Sequence, residues 1–126
     1  MKTRPMLHKI RMELARTKEH PEGARDVGYE FTAPLAPDGR IDSVEFHHVK
    51  DKCRVLRFRP DHDDDIGHLV RKPGGSWAFH YDIHNDAEDD ESGYRFGDHT
   101  FRLAEYVSVR EDDELVPYRI VSVLPV

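Results

Sequence analysis

The strongest constraint on the fold of this chain is the alternation of apolar and polar residues in short runs that are separated by turn residues. In "HKIRMELAR", Ile10, Met12 and Leu14 alternate with charged residues, which is the period of a strand with one buried face. Similar runs recur as "GYEFTA", "CRVLRF", "IGHLVRK", "SWAFHYDIH", "YRFG", "HTFRL", "EYVSVR" and "LVPYRIVSV". The pattern predicts a mainly β domain, a small barrel or sandwich (SH3-like or similar) of about seven short strands with one inserted helix.

The inserted helix is predicted from the segment "IDSVEFHHVKDKC". Asp42 is a candidate N-cap, and Glu45 three residues later completes a capping box. Ile41 and Phe46 stand at the two positions of a hydrophobic staple. An apolar stripe at helical spacing then consists of Phe46, Val49 and Cys53. These signals predict a short helix near residues 42 to 51.

Two hairpins are predicted from turn chemistry, one centred on Pro73–Gly75 and one on Glu111–Glu114. Pro and Gly in "PGG" supply a turn between two alternating runs. If that loop has three residues, His68 lies opposite His80 across the ladder. The alternation also predicts which side chains of the hairpins are largely buried, namely Trp77, Phe79, Val107 and Val121.

Length and composition narrow the class of protein. A chain of 126 residues is long enough for one core and too short for two, so we expect a single domain over residues 1–126. The only cysteine, Cys53, cannot form an intramolecular disulfide, which favours a reducing cytoplasm. The net charge of −6 argues against nucleic-acid binding. No signal peptide and no apolar run that could cross a membrane is recognised.

The most specific candidate for chemistry is "HYDIH", residues 80 to 84. On a strand, His80, Asp82 and His84 share one face, and His68 of the neighbouring strand joins them. Imidazole and carboxylate groups suit a divalent metal such as Zn²⁺. The alternative is the solvated face of a hairpin in a chain with 9 histidines, and we favour it because alternation fills one face of such a strand with polar residues anyway. We therefore expect no metal cofactor.

A second candidate site comes from the aromatic residues, most of which must fill the core of a small barrel. Some of them could instead line an open barrel mouth that binds a peptide or a small ligand, with arginines as anion partners. The candidates for this site are Tyr94, Arg95, Phe96, Arg102 and Tyr106.

Three further features of the sequence are not assigned to a binding or catalytic site. The loop Asp61–Asp65, "DHDDD", lacks the ligand spacing of a calcium loop, so we expect a solvated acidic loop. Cys53 falls on an apolar stripe, where a small buried thiol is more common than a nucleophile. The acidic segment 85–92 has one apolar residue, Ala87, and is predicted to be the most mobile internal segment.

The phrases "GYEFTAPL", "GGSWAFHYD" and "GYRFGDHTF" resemble those of small uncharacterised proteobacterial proteins. The resemblance covers most of the chain and implies no activity, cofactor or catalytic residue. No catalytic motif is recognised, so enzymatic activity is left open. We favour a non-catalytic binding or interaction module with a protein or peptide partner. The alternatives are a metal-binding protein or metal-dependent enzyme that uses the His/Asp cluster, and a regulatory subunit whose acidic loops bind a basic partner.

Overall fold

The chain forms a closed antiparallel barrel of eight strands in the computed structural model, which describes residues 6–82 and 90–126 without the side chain of Tyr94. Each strand pairs with the next along the chain, and the last pairs with the first. The strands are β1 (Met6–Leu14), β2 (Ala24–Leu35), β3 (Arg54–Phe58), β4 (Asp65–Arg71), β5 (Trp77–Tyr81), β6 (Glu91–Tyr94), β7 (Tyr106–Glu111) and β8 (Glu114–Pro125). Within these described residues, one helix, α1 (Ser43–Val49), and the 3₁₀ turns Lys50–Lys52 and Phe96–Asp98 lie in the connections. The predicted small barrel with one short helix is confirmed.

The helix begins where the capping signals predict. The Asp42 side chain accepts a hydrogen bond from the Glu45 backbone N–H at 2.8 Å, which satisfies one of the N–H groups left unpaired at a helix start. Ile41 and Phe46, the two staple residues, are both buried. The helix ends at Val49, earlier than predicted, and the following 3₁₀ turn carries the chain on into β3.

The hairpin of β4 and β5 has the predicted register. The Lys72 backbone N–H donates to the Ser76 carbonyl at 2.8 Å, and His68 lies opposite His80. Both glycines of the loop, Gly74 and Gly75, have a φ of +90°, a conformation that residues with a Cβ rarely adopt. The three-residue loop is therefore confirmed, and it fixes which side chains of this hairpin face outward.

The hairpin of β7 and β8 is also confirmed, with Glu111 opposite Glu114. Its two central residues, Asp112 and Asp113, have φ angles of 47° and 67°. Two consecutive positive φ angles characterise the tight two-residue turn whose twist matches that of the flanking strands.

One burial prediction on β8 is wrong, because the strand contains a β-bulge. Arg11 on β1 lies opposite Ser122, whereas the next residue, Met12, lies opposite Ile120. Val121 is thus the extra residue of the bulge, and it is half-buried instead of buried. A bulge changes the parity of a strand, so alternation alone cannot assign the face of such a residue.

The segment between β5 and β7 also differs from the prediction. Residues 91–94, half of which were assigned to an acidic loop, form strand β6. In contrast, "HTFRL" is not a strand, and Phe101 reaches the core from an irregular segment. The prediction of high mobility for residues 85–92 falls mostly outside the described residues.

The barrel interior differs between its two ends. At the end that carries α1, Phe46 packs edge-on against Trp77 with ring centroids 4.8 Å apart. The middle of the barrel is filled by Phe31, whose ring lies within 6.2 Å of the rings of Phe79, Phe96 and Phe101. The opposite end holds polar groups.

Trp77, Phe79 and Val107 are buried, as predicted.

We expect Phe79→Ala to lower the free energy of unfolding by about 3–5 kcal/mol, because it leaves a cavity among buried rings. Chemical denaturation measures this loss. Ile66→Ala is the matched control, since Ile66 lies on the adjacent strand and is 50% exposed; it should cost less than about 1 kcal/mol. A loss below about 1 kcal/mol for Phe79→Ala would contradict the assignment of the inner face.

Candidate functional site

A groove of about 440 Å³ lies between the α1 region and the outer surface of the β4–β5 hairpin. We call it the helix–hairpin groove. Its apolar lining comes from Phe46, Leu69 and Val70. Its polar lining comes from His47, Lys50, Asp51, His68, Arg71 and His80. The groove thus brings together two of the histidines that the sequence singled out and basic groups that it did not.

His80 is held at the groove by a carboxylate. Its Nδ1 lies 2.5 Å from Oδ1 of Asp90, and the Lys72 ammonium donates to the other oxygen of the same carboxylate. The Asp90 side chain is only 4% exposed, so this contact is shielded from solvent. Donation from Nδ1 leaves Nε2 as the ring nitrogen available to a ligand, as an acceptor in the neutral ring and as a donor in the imidazolium.

His68 is held by a different partner. Nη1 of Arg54 lies 2.5 Å from Nε2 of His68, and Nη2 of the same guanidinium donates to Asp82 at 2.9 Å. Because arginine only donates, Nε2 of His68 is the acceptor in this contact, and Nδ1 of the same ring lies 3.4 Å from Asp82.

These contacts separate the predicted metal ligands into two groups. His68 and Asp82 share Arg54, whereas His80 is paired with Asp90. Among residues 6–82 and 90–126, no cluster of three or more His, Cys, Asp or Glu side chains could hold a metal ion. The fourth predicted ligand, His84, lies outside the described residues, so the four-ligand site stays a prediction.

The predicted aromatic ligand site has its residues in different environments. Phe96 is buried in the core. Arg102 is exposed and donates to the backbone carbonyl of Asp38 at 3.3 Å. Tyr106 is exposed on the outside of the barrel, beside Arg119. Arg95 is exposed at a φ of 52°, and the side chain of Tyr94 lies outside the described part of the chain. Ligand binding by these five residues stays a prediction.

A polar cluster that was not predicted from the sequence lies inside the barrel, at the end opposite α1. Two carboxylates, Glu91 and Glu111, both accept from the guanidinium of Arg57, with the Glu111 contact at 3.1 Å. Three tyrosine hydroxyls surround them. Tyr29 lies 2.9 Å from Glu91 and 2.6 Å from Glu111, Tyr81 donates to Glu91 at 2.5 Å, and Tyr118 donates to Glu111. We call these six residues the barrel-end cluster.

Burial shapes the acid–base chemistry of this cluster. Loss of solvent raises the pKa of the Glu91 carboxyl above its usual value, against the opposing effects of the Tyr81 hydrogen bond and the Arg57 charge. Burial likewise raises the pKa of the Tyr29, Tyr81 and Tyr118 hydroxyls. The three phenols therefore stay protonated and serve as hydrogen-bond donors.

Cys53 is a buried thiol, as predicted. It is fully buried and its Sγ donates to the Val49 carbonyl at 3.5 Å. Burial, with a smaller contribution from Asp51, raises the pKa of the Cys53 thiol to about 12. Since the thiolate is the nucleophilic form, this environment disfavours a catalytic role.

Comparison of the chain with protein-family models, curated proteins and solved structures found no match. The resemblance to proteobacterial proteins stays a prediction. No helix within residues 6–82 and 90–126 is long and apolar enough to cross a membrane.

We expect equimolar Zn²⁺ to leave the melting temperature unchanged, because His68 and His80 are already engaged by other side chains. Calorimetry of untagged protein with and without metal tests this. The variant His80→Ala with His84→Ala is the control and should respond as the parent does. A stoichiometric rise in the parent that the double variant lacks would establish the metal site instead.

We expect Cys53 in the folded protein to resist alkylation at about pH 8, where a pKa moved from 9.0 to about 12 lowers the thiolate fraction roughly a thousand-fold. Mass spectrometry after iodoacetamide treatment measures the modification. The same treatment in urea should modify Cys53 fully. Rapid modification of the folded protein would show that the thiol is accessible and reactive.

Proposed function

We propose that this protein is a non-catalytic binding module that holds a small amphipathic ligand with an anionic group in the helix–hairpin groove. The observation that carries the proposal is the composition of that groove, which combines an apolar lining with a basic rim. A binding role for the barrel is also what the alternating strands and the lack of a recognised catalytic motif favour.

The size and lining of the groove suit a small molecule. Its volume of about 440 Å³ falls within the range of roughly 300–1,000 Å³ that is usual for ligand pockets. Phe46 and Leu69 are buried parts of the core that also line the groove, and Val70 is half-buried beside them. An apolar chain or ring placed there would remove additional apolar surface from water, which supplies binding free energy.

The charge of the rim favours an anion. Lys50 and Arg71 outnumber the single carboxylate of the lining, Asp51, although the whole chain carries a net charge of −6. The guanidinium of Arg71 lies 5.5 Å from the centre of the Trp77 ring, which restricts its position at the rim. In its protonated form His80, oriented by Asp90, would add an Nε2–H donor for a carboxylate.

We further propose that the protein works in the cytoplasm. The support is chemical: its only cysteine is a free, buried thiol, as expected in a reducing compartment. A protein or peptide partner, predicted from the sequence, is the alternative occupant of the groove, and binding of a small anionic ligand distinguishes the two.

We expect octanoate, an apolar chain with a carboxylate, to bind in the groove. In an NMR titration the amide shifts should concentrate at Phe46, Leu69, Val70 and His80. Val70→Asp should weaken binding at least about tenfold, because it places a like charge on the apolar lining. Ile66→Asp is the matched control, since Ile66 lies on the outer surface of the same strand and does not line the groove; it should bind as the parent does.

Octylamine provides the test of charge, since it keeps the apolar chain and reverses the charge of the head group. It should bind at least about tenfold more weakly than octanoate. Equal binding of the two compounds, or shifts that lie away from the groove, would contradict the proposal. No binding of either compound would favour a macromolecular partner.

A further inference from the structure

The hydrogen bonds of the barrel-end cluster do not balance when both carboxylates are ionised. Tyr81 uses its one hydroxyl proton on Glu91, and Tyr118 uses its proton on Glu111. Tyr29 also has one hydroxyl proton, yet its oxygen lies within hydrogen-bond distance of both carboxylates, at 2.9 Å and 2.6 Å. One of these two contacts would join two acceptors without a proton between them.

The cluster also carries one excess negative charge when both carboxylates are ionised. Arg57 supplies one positive charge, whereas Glu91 and Glu111 would supply two negative charges. All three side chains are less than one-fifth exposed. An uncompensated charge in such a place is strongly disfavoured, and a group in that situation usually takes up a proton instead.

We propose that the barrel-end cluster is a proton-binding site, in which Glu91 and Glu111 share one proton across the Tyr29 hydroxyl at neutral pH. The proton completes the hydrogen bonds, since a protonated carboxyl donates to the Tyr29 oxygen while Tyr29 donates to the other carboxylate. It also makes the cluster neutral, with one carboxylate balanced by Arg57. Two carboxyl groups that share one proton form a coupled pair, so the proton belongs to both residues.

The surroundings of the pair favour the retained proton. Among the residues that the structure describes, the titratable groups that contact the pair from neighbouring strands, besides Arg57, are the hydroxyls of Tyr29, Tyr81 and Tyr118. From β4, Asp65 adds a further negative charge near Tyr81, and Asp65 is itself paired with Arg59 at 2.9 Å. Strand β1 contributes the buried apolar residues Met12 and Leu14. Burial also raises the pKa of the Glu91 carboxyl, in the direction that this site requires.

The site gives stability a defined dependence on pH. In the unfolded chain a glutamate ionises near its usual pKa of about 4.5, whereas the folded cluster keeps its proton to higher pH. Between these two values the folded state binds more protons than the unfolded state, so rising pH favours unfolding. This contribution is complete below about pH 4.5 and is lost as the pH rises through the raised pKa of the folded state.

Infrared spectroscopy in D₂O tests the site directly, because a protonated carboxyl absorbs apart from a carboxylate. The parent should show one protonated-carboxyl band at neutral pH, and the band should disappear when the pH is raised. Glu91→Gln and Glu111→Gln should each remove the band, because the neutral amide supplies the missing donor and leaves the other carboxylate ionised. Glu30→Gln is the control, since Glu30 pairs with Lys9 and Arg11 elsewhere on the barrel, and it should leave the band unchanged.

Absence of the band in the parent would overturn the proposal, and so would a band that persists in the double variant Glu91→Gln with Glu111→Gln. The spectrum of the parent shows whether the protonated-carboxyl band exists, even if a variant fails to fold. Denaturation midpoints give a second readout. From pH 5 to pH 9 the midpoint should fall by less in Glu91→Gln than in the parent; an equal fall in both proteins would also overturn the proposal.

Discussion

The fixed interior volume of a closed eight-stranded barrel is the constraint on which the rest of this structure depends. Pairing of β1 with β8 closes the sheet, and a barrel of this strand number is just wide enough to be filled by side chains. Every strand must therefore place alternate residues in one shared space. The phenylalanines around Phe31 fill the middle. The end opposite α1 is filled by long side chains that carry polar groups at their tips. Those polar groups must form hydrogen bonds or ion pairs with one another.

Local rules predicted the parts of the structure that depend on neighbouring residues. Alternation located most strands, and the Asp42 cap located the start of the helix. The "PGG" loop fixed the register of the β4–β5 hairpin, and with it the outward positions of His68 and His80. These features depend on backbone geometry over a few residues, which the sequence determines directly.

The candidate sites depend on contacts between distant residues, and the sequence predicted less of them. Arg57 and Glu111 stand two residues after the inward-facing Val55 and Val109. Strand alternation therefore predicts that both charged side chains point into the barrel. Glu91 gave no such signal, because "ESGY" has little strand character and becomes a strand by pairing on both sides. The groove depends on how α1 packs against the barrel, which no local pattern determines.

The order of the strands around the barrel has a consequence for how the chain folds. Seven of the eight pairings join strands that are consecutive in sequence. Each of them closes a loop that is short compared with the separation of β1 from β8, and the longest of these connections, between β2 and β3, contains α1. The pairing of β1 with β8 joins segments near opposite ends of the chain, with His8 opposite Pro125. Its loop-closure entropy is the largest in the fold and must be overcome before its contacts stabilise anything. The topology thus separates seven pairings between consecutive strands from a single non-local step, which converts an open, curved sheet with two free edges into a barrel.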